Sequence, residues 1–315
     1  TGVRAVEDLY GISDIPRTAQ LIRELLAAGS ALDNLATKFV AADREGARAM
    51  KRAGKALMRA AGAPSHFPDV AVPGGVRAAV DKTLVSEAES ALEALAETAV
   101  IKEVELLAAP DASGAWTDTF DGLDVAVVDA DGELAPLGNY LAVARHDTDT
   151  AAQIFPAADW PTRVRESRPG DAAPRPVFDA SKELGKDGCE GQRADFYRVG
   201  PVSRQVVVDK RGISPRDAQR QLLADTVAWA KRVLADGELL GDHVCNPNAA
   251  TAIENADFEG HRSGVGMIDG PRGLLVHRYT AGADGIITDC QIMTPTAQNE
   301  PWLTRMLTEQ LCGGG

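Results

Sequence analysis

The sequence is poor in the residues that usually announce chemistry. Its 315 residues hold four cysteines and five histidines. Cys189, Cys245, Cys290 and Cys312 stand tens of residues apart, and no CxxC or CxxxH occurs. This spacing excludes a disulfide framework and a zinc ribbon within these residues. His66, His146, His243, His261 and His277 show no HxxxH spacing. "GVGMIDG" lacks both the P-loop lysine and the GxGxxG order, so no phosphate loop is written. No Ser-His-Asp set can be picked from the sequence. No apolar run reaches the roughly 18 residues of a membrane span, and no signal-peptide pattern opens the chain. Because the chain starts at Thr1, loss of an initiator methionine or of a longer segment is expected. Cations are also short: 33 Lys and Arg face 46 Asp and Glu, a net charge of −13. That balance opposes non-specific binding to nucleic acid or anionic membranes and fits a soluble cytoplasmic protein.

What is present reads as mainly helical. Aromatics are 5% while alanine is abundant, which favours helices packed through small side chains. Ile15, Leu21, Ile22, Leu25 and Leu26 recur at helical spacing after Pro16, and a second stripe (Leu32, Leu35, Phe39, Val40) follows Gly29. A third helical segment spans 44–61. "GAPSHFPDVAVPGGV" (62–76) then breaks the pattern with prolines and glycines. Residues 77–107 hold no Gly or Pro and predict one helix about 46 Å long. "LDVAVVDADGEL" (123–134) reads as strand, DG turn, strand. Residues 147–195 form an irregular excursion. A helix pair is expected over 214–240, with Ser214 as N-cap and Pro215 at the first helical position. "GLLVHRYTAGADGIITDCQIM" (273–293) reads as a β-hairpin. A short helix closes the chain, with Pro301 near its start and Gly313 past its end.

Several short stretches stand out, each with two readings. Arg272 sits between Pro271, which fixes φ, and permissive Gly273. Its guanidinium either serves an anion or carboxylate, or makes a surface salt bridge or binds loop carbonyls. "TPTAQN" (294–299) follows the returning hairpin strand. Tight pairing would bring Pro295-Thr296 to the same side as Pro271-Arg272, while Thr296 or Asn299 could equally cap a helix. "YRVGPVSR" (197–204) carries a Gly200-Pro201 turn. In "HFPDVAVPGGV" (66–76), His66 suits a loop hydrogen bond better than a metal.

The order of these segments along the chain is specific. "VRAVEDLYG" (3–11), "HFPDVAVPGGV", "YRVGPVSR", "GVGMIDGPRGLLVHRY" (264–279) and "IITDCQIMTPTAQNEPWL" (286–303) together resemble the large subunit of nickel–iron hydrogenases, in its cytoplasmic, cofactor-coupled groups. The resemblance implies a mainly α fold, a long-helix bundle of the hydrogenase large-subunit type with small β-hairpin additions. The chain is expected to form one compact unit with an N-terminal helical region (1–110), an α+β insertion with irregular loops (111–210), and C-terminal helices with the motif-bearing hairpin (211–315). The resemblance adds chemistry to that frame. It implies a buried Ni–Fe centre with cyanide and carbon monoxide on iron, a structural Mg, and four thiolates from two CxxC motifs. Arg272 would be the catalytic donor over the open metal face, held by Pro271. Pro295 and Thr296 would serve a cyanide, and the Ile292 carbonyl would face Mg. The implied partner is an Fe–S small subunit, with further electron-transfer subunits, and neither nucleic acid nor a membrane span.

The sequence also departs from that family. The first CxxC should lie just upstream of "VRAVEDLYG" and the second tens of residues beyond "PTAQNEPWL". None of the four cysteines matches a ligand position. Asp269-Gly270 replaces the usual Glu-Ala, and Arg278 replaces a histidine, both expected beside the site. Three accounts fit: a piece of a working large subunit, a metal-free scaffold or structural homologue, or a binding module that retains only the ancestry.

Overall fold

A computed structural model describes residues 1–63, 69–107, 120–145, 151–166, 175–178, 196–209, 213–256, 259–260 and 262–313. His66, His146, His261, Cys189 and much of the 147–195 excursion lie outside the described residues.

The N-terminal third folds as helices. α1 spans Gly2–Tyr10, α2 Arg17–Phe39 and α3 Arg44–Ala60. The side chain of Asp43 caps α3 by accepting from the Gly46 amide at 2.9 Å. A tight ribbon follows, β1 (Ala71–Val72) against β2 (Gly75–Val76).

α2 runs straight through Gly29, where the sequence pattern divides into two stripes. The reason is a close helix crossing. A Cβ on Gly29 would stand 2.8 Å from the Gly54 carbonyl oxygen, and one on Gly54 would stand 2.7 Å from the Gly29 carbonyl oxygen. Glycine in a mid-helix position ordinarily costs about 0.5–1 kcal/mol relative to alanine. Here the sign should reverse. Gly54→Ala is expected to destabilise the protein by about 1–3 kcal/mol through overpacking. Chemical denaturation checks this; a stabilised variant would remove the crossing as the explanation.

The single helix expected over 77–107 is two: α4 (Lys82–Ala96) and α5 (Ala99–Leu107). The break falls where the Thr98 hydroxyl donates back to the Leu95 carbonyl at 2.6 Å, so a side chain competes for the helix backbone.

β3 (Leu123–Val128) and β4 (Tyr140–Arg145) pair antiparallel. The DG turn forms, with Gly132 at φ 87, but the return at Leu134 is a single bridge to Val128. Pro136 has no amide to extend that ladder, so the full partner comes later. β5 (Gln153–Pro156) adds to β4. α6 (Trp160–Arg163) leads into β6 (Val164–Glu166), which pairs with β7 (Pro176–Phe178). β8 (Tyr197–Val199) lies parallel to β3, completing the order β5-β4-β3-β8.

α7 spans Pro201–Asp209 and α8 Pro215–Ala235. Ser214 caps α8 as expected, accepting from the Asp217 amide at 3.1 Å. The second helix of the expected pair is only a 3-10 turn, Gly237–Leu240. After α9 (Ala249–Glu254) come β9 (Arg262–Gly270), β10 (Gly273–Ala281) and β11 (Ile287–Met293), in the order β11-β10-β9. The hairpin over 273–293 is present. The glycine-punctuated run before it proves to be a third full strand, so Pro271-Arg272 forms the tight turn between β9 and β10. α10 (Pro295–Gly313) closes the described chain, with Pro301 inside it and Gly313 as its last residue.

One core joins α2, α3, α4 and α8 through buried Leu25, Leu32, Met50, Leu57, Leu95 and Leu223. A second joins β3, β4 and β8 to β9 and β10 through Val125, Leu141, Tyr197, Met267 and Leu274. The candidate site lies where these two bodies of structure meet.

Candidate functional site

The glycines of "GVGMIDG" have a packing purpose. β9 runs directly beneath α1, and a Cβ on Gly264 would fall onto the backbone of Ala5 and Leu9. One on Gly266 would fall onto the backbone of Thr1 and Ala5. α1 in turn reaches into the sheet. Asp8 accepts from the Val265 amide at 2.8 Å. Arg4 donates to the carbonyls of Met267 at 2.6 Å and Gly138 at 2.9 Å, and to the Asn139 side chain. Burial, reinforced by the Arg23 charge and opposed by Glu7, lowers the Arg4 pKa to about 10.

Glu7 and Arg23 tie α1 to the β1–β2 ribbon. They form a two-pronged pair at 3.0 and 2.6 Å. Glu7 accepts from the Gly74 amide at 2.9 Å, and Arg23 donates to the carbonyls of Val72 and Gly75. Nothing in the sequence marks this pairing across 16 residues. Its only trace is a Glu on the apolar face of a helix.

The Pro271-Arg272 turn is held from behind. Gly200 (φ 122) and Gly273 (φ 118) both adopt conformations that favour glycine. A Cβ on Gly200 would stand 3.1 Å from the Arg272 carbonyl oxygen, and one on Gly273 2.8 Å from the Gly200 amide. "YRVGPVSR" and "DGPRG" thus touch backbone to backbone. Arg204 donates from one nitrogen to Asp269 at 2.5 Å and to the Gly270 carbonyl at 2.7 Å. Asp269 is buried, and its other oxygen lies 3.4 Å from the Val127 amide.

The Arg272 side chain is exposed and makes no hydrogen bond or ion pair among the described residues. Neither the salt bridge nor the loop-carbonyl contact of the simpler reading forms there. Arg272 lines a cavity of about 350 Å³ with Pro271, Pro295, Asn34, Arg204 and Asp269. Pro295, just after β11, therefore lines the same cavity as Pro271 and Arg272. Thr296 is exposed on the first turn of α10 and Ile292 is exposed on β11; neither lines this cavity. The cap of α10 is Thr294, which accepts from the Ala297 amide at 3.3 Å, in place of Thr296 or Asn299.

Gln298 and Asn299, in the TPTAQN stretch, lock this corner. Gln298 is fully buried. It donates to the carbonyls of Leu274 and Met293 and accepts from the Tyr197 hydroxyl at 3.2 Å. Burial pushes the Tyr197 hydroxyl well above its ordinary pKa. Asn299 accepts from the Val199 amide at 2.9 Å and donates to the Val199 carbonyl at 3.1 Å. Two amides placed one after the other in a first helical turn are the available signal.

Distance along the strands separates the two departures from the family pattern: Asp269 pairs with Leu274 near the turn, and Arg278 pairs with Val265, four residues back along β9 on the same face. Asp269 borders the cavity, as expected. Arg278 does not: it faces away from His277 and Tyr279, reaching Ser263 at 3.4 Å. His277 bonds the Tyr279 hydroxyl through Nδ1 at 2.8 Å, and burial lowers its pKa. The folded state therefore takes up its proton later than the unfolded chain as pH falls. Stability should decline as pH drops through the ordinary histidine value of about 6.5. It should level off below the depressed folded value. His277→Gln should flatten that part of the profile, as urea midpoints taken on both sides of the window would show; an unchanged slope would contradict it.

No set of three or more His, Cys, Asp or Glu able to hold a metal occurs among the described residues. Among those residues the cavity is lined by no cysteine or histidine. Cys245 is half-buried beside Pro73, and Cys290 is exposed on β11. The charged lining is thus the exposed Arg272 guanidinium beside the internally paired Arg204 and Asp269.

No family model matches the chain. It is 34% identical over 119 residues to an F420-non-reducing hydrogenase subunit of Methanothermobacter marburgensis, covering 33% of this chain and 25% of that protein. It is 29% identical over 133 residues to an F420-non-reducing hydrogenase iron-sulfur subunit of Archaeoglobus profundus, covering 38% and 27%. The matched segment thus spans about a quarter of these curated relatives. Among solved structures, an NAD+-reducing [NiFe]-hydrogenase in the H2-reduced state superposes with a TM-score of 0.69 at 23% identity, covering 96% of this chain and 75% of that one. The Ni-Fe-Se hydrogenase of Desulfovibrio vulgaris Hildenborough superposes with a TM-score of 0.62 at 14% identity, covering 94% and 75%. The fold, helical with several small sheets, is that of the nickel–iron hydrogenases, and over a third of its length the chain is also similar in sequence to the F420-non-reducing enzymes among the curated relatives.

Proposed function

We propose that this chain is a large-subunit component of a nickel–iron hydrogenase-type complex. One observation carries the reading: the Arg272 guanidinium, free among the described residues, stands on a rigidly backed turn beside Pro295 at a cavity. A five-donor fork left without a carboxylate suits anionic ligands on a metal centre. In this reading Pro271 fixes the backbone of the donor, Pro295 and Thr296 serve a second anionic ligand, and the Ile292 carbonyl faces Mg. The long-helix bundle of the large-subunit type forms the body around them.

Soft thiolates are what nickel and low-spin iron require, and the described residues bring none to the cavity. Hydrogen chemistry is therefore not assigned to these residues alone. What they can do is position an anion-binding donor and exclude water behind it. The partner would be an Fe–S small subunit, with further electron-transfer subunits beyond it, in the cytoplasm.

A second reading is a scaffold of hydrogenase type that works without metal. Purification of the tagged natural protein that carries these residues, with its complex, from its own source separates the readings. Both expect an Fe–S partner whose visible absorption accompanies the chain. Nickel in that complex supports the first reading, and its lack supports the scaffold. A chain that runs alone, with no Fe–S partner, would overturn both.

A further inference from the structure

We propose that Arg204 is a positioning residue for Arg272. This deepens the reading above and rests on it, since it matters because Arg272 is the working group of the cavity. The geometry is specific. A single Arg204 nitrogen binds both the Asp269 carboxylate and the Gly270 carbonyl, the residue directly before Pro271-Arg272. Arg204 and Asp269 are 5% and 5% exposed, so little water competes for these bonds. The Asp269 amide donates to the Pro136 carbonyl at 2.9 Å, which pins the carboxylate's own backbone. Arg204 also stands one helical turn after Gly200, its amide bonded to the Gly200 carbonyl at 3.1 Å. Gly200 is the residue whose backbone supports the Arg272 carbonyl side of the turn.

The turn is thus clamped at both ends by one short segment, 200–204. Gly200 contacts the Arg272–Gly273 side, and Arg204 holds the Gly270 side. Pro271 has no amide, and the Arg272 side chain makes no hydrogen bond or ion pair among the described residues. The β9–β10 ladder closes the turn, and this clamp sets how the closed turn sits against the 200–204 segment. The Asp269 carboxylate has a matching role: it keeps the Arg204 nitrogen aimed at the Gly270 carbonyl. A ligand-facing guanidinium needs such support, because loosely held groups lose directional hydrogen bonding.

Breaking one partner alone would strand a buried charge and could unfold the chain. The test therefore neutralises both, as Arg204→Met with Asp269→Asn in the full chain. Arg23→Met with Glu7→Gln is the control, a second buried pair that anchors other loops. Peptide-resolved hydrogen exchange reads residues 268–275, at denaturant concentrations that match global stability. Exchange in that segment should rise about tenfold or more in the 204/269 variant, the scale of one charge-assisted hydrogen bond, and stay unchanged in the control. Arg204→Lys, which keeps a charged donor on a stem one bond shorter, should recover part of the protection. Equal rises in both double variants, no rise in either, or no recovery with lysine would overturn the positioning role. These readouts need no metal and no partner. Loss of the hydrogenase reading would therefore show in co-purification and leave the exchange result standing.

Discussion

Gly266→Val should lower the melting temperature by about 6–12 °C, taking about 2–4 °C per kcal/mol for a chain of this size class. The expected loss is about 3 kcal/mol, the upper end of overpacking penalties. The obstacle is backbone, not a side chain that could rotate aside: a Cβ at Gly266 would meet Thr1 and Ala5 of the α1 region. α1 would have to move as a body. It would carry with it the Arg4 bonds to Met267 and Gly138 and the Asp8 bond to Val265. Those contacts fasten α1 to the sheet that bears the Arg272 turn, so the variant should also raise exchange along β9. Thermal denaturation by circular dichroism checks the shift. A melting temperature equal to that of the parent would mean that α1 does not rest on β9 as described.

Arg272→Lys should do the opposite: leave stability within about 0.5 kcal/mol of the parent and abolish function. The side chain makes no hydrogen bond or ion pair among the described residues, so folding loses little with it. A point ammonium does not reproduce the planar fork that binds anionic ligands in a fixed direction. Removing one aimed donor from a reactive centre typically costs about a hundredfold or more in rate. In an assembled, metal-loaded complex, hydrogen uptake should therefore fall by at least that factor while the urea midpoint holds. Full activity in a loaded Arg272→Lys complex would remove Arg272 from the chemistry. In a metal-free scaffold the same change should leave assembly untouched.

Much of the architecture is legible because local physics writes it. Helical spacing around Leu21, Leu25 and Leu32, the Ser214-Pro215 start of α8 and the 273–293 hairpin all follow from period and turn chemistry. What fails does so for tertiary reasons. Gly29 divides two apolar stripes in sequence, but one helix runs through it and it is a contact point for Gly54 across a crossing. The strand at 262–270 is hidden because Gly264 and Gly266, weak strand formers, are there to admit α1. Thr98 breaks a helix that no Gly or Pro interrupts. At the site, Arg272, Pro271 and Pro295 can be found from their motifs, and the fold brings them to one cavity. Arg204, Gln298 and Asn299 cannot be singled out by role, since most of their partners lie roughly 24 to 100 residues away and are backbone atoms, to which any sequence contributes equally. Arg278 is misplaced because adjacency in a motif does not show distance from the turn: it shares Asp269's face but pairs with Val265, four residues back along β9.

The central claim is that the Arg272 corner supplies the outer donors of a nickel–iron-type site while these residues supply no ligand layer. Nickel and iron analysis of the purified 315-residue chain, expressed where hydrogenases are matured, tests it most directly. The expected result is neither metal above background, with the fold intact by circular dichroism. Nickel and iron each at one per chain would contradict it.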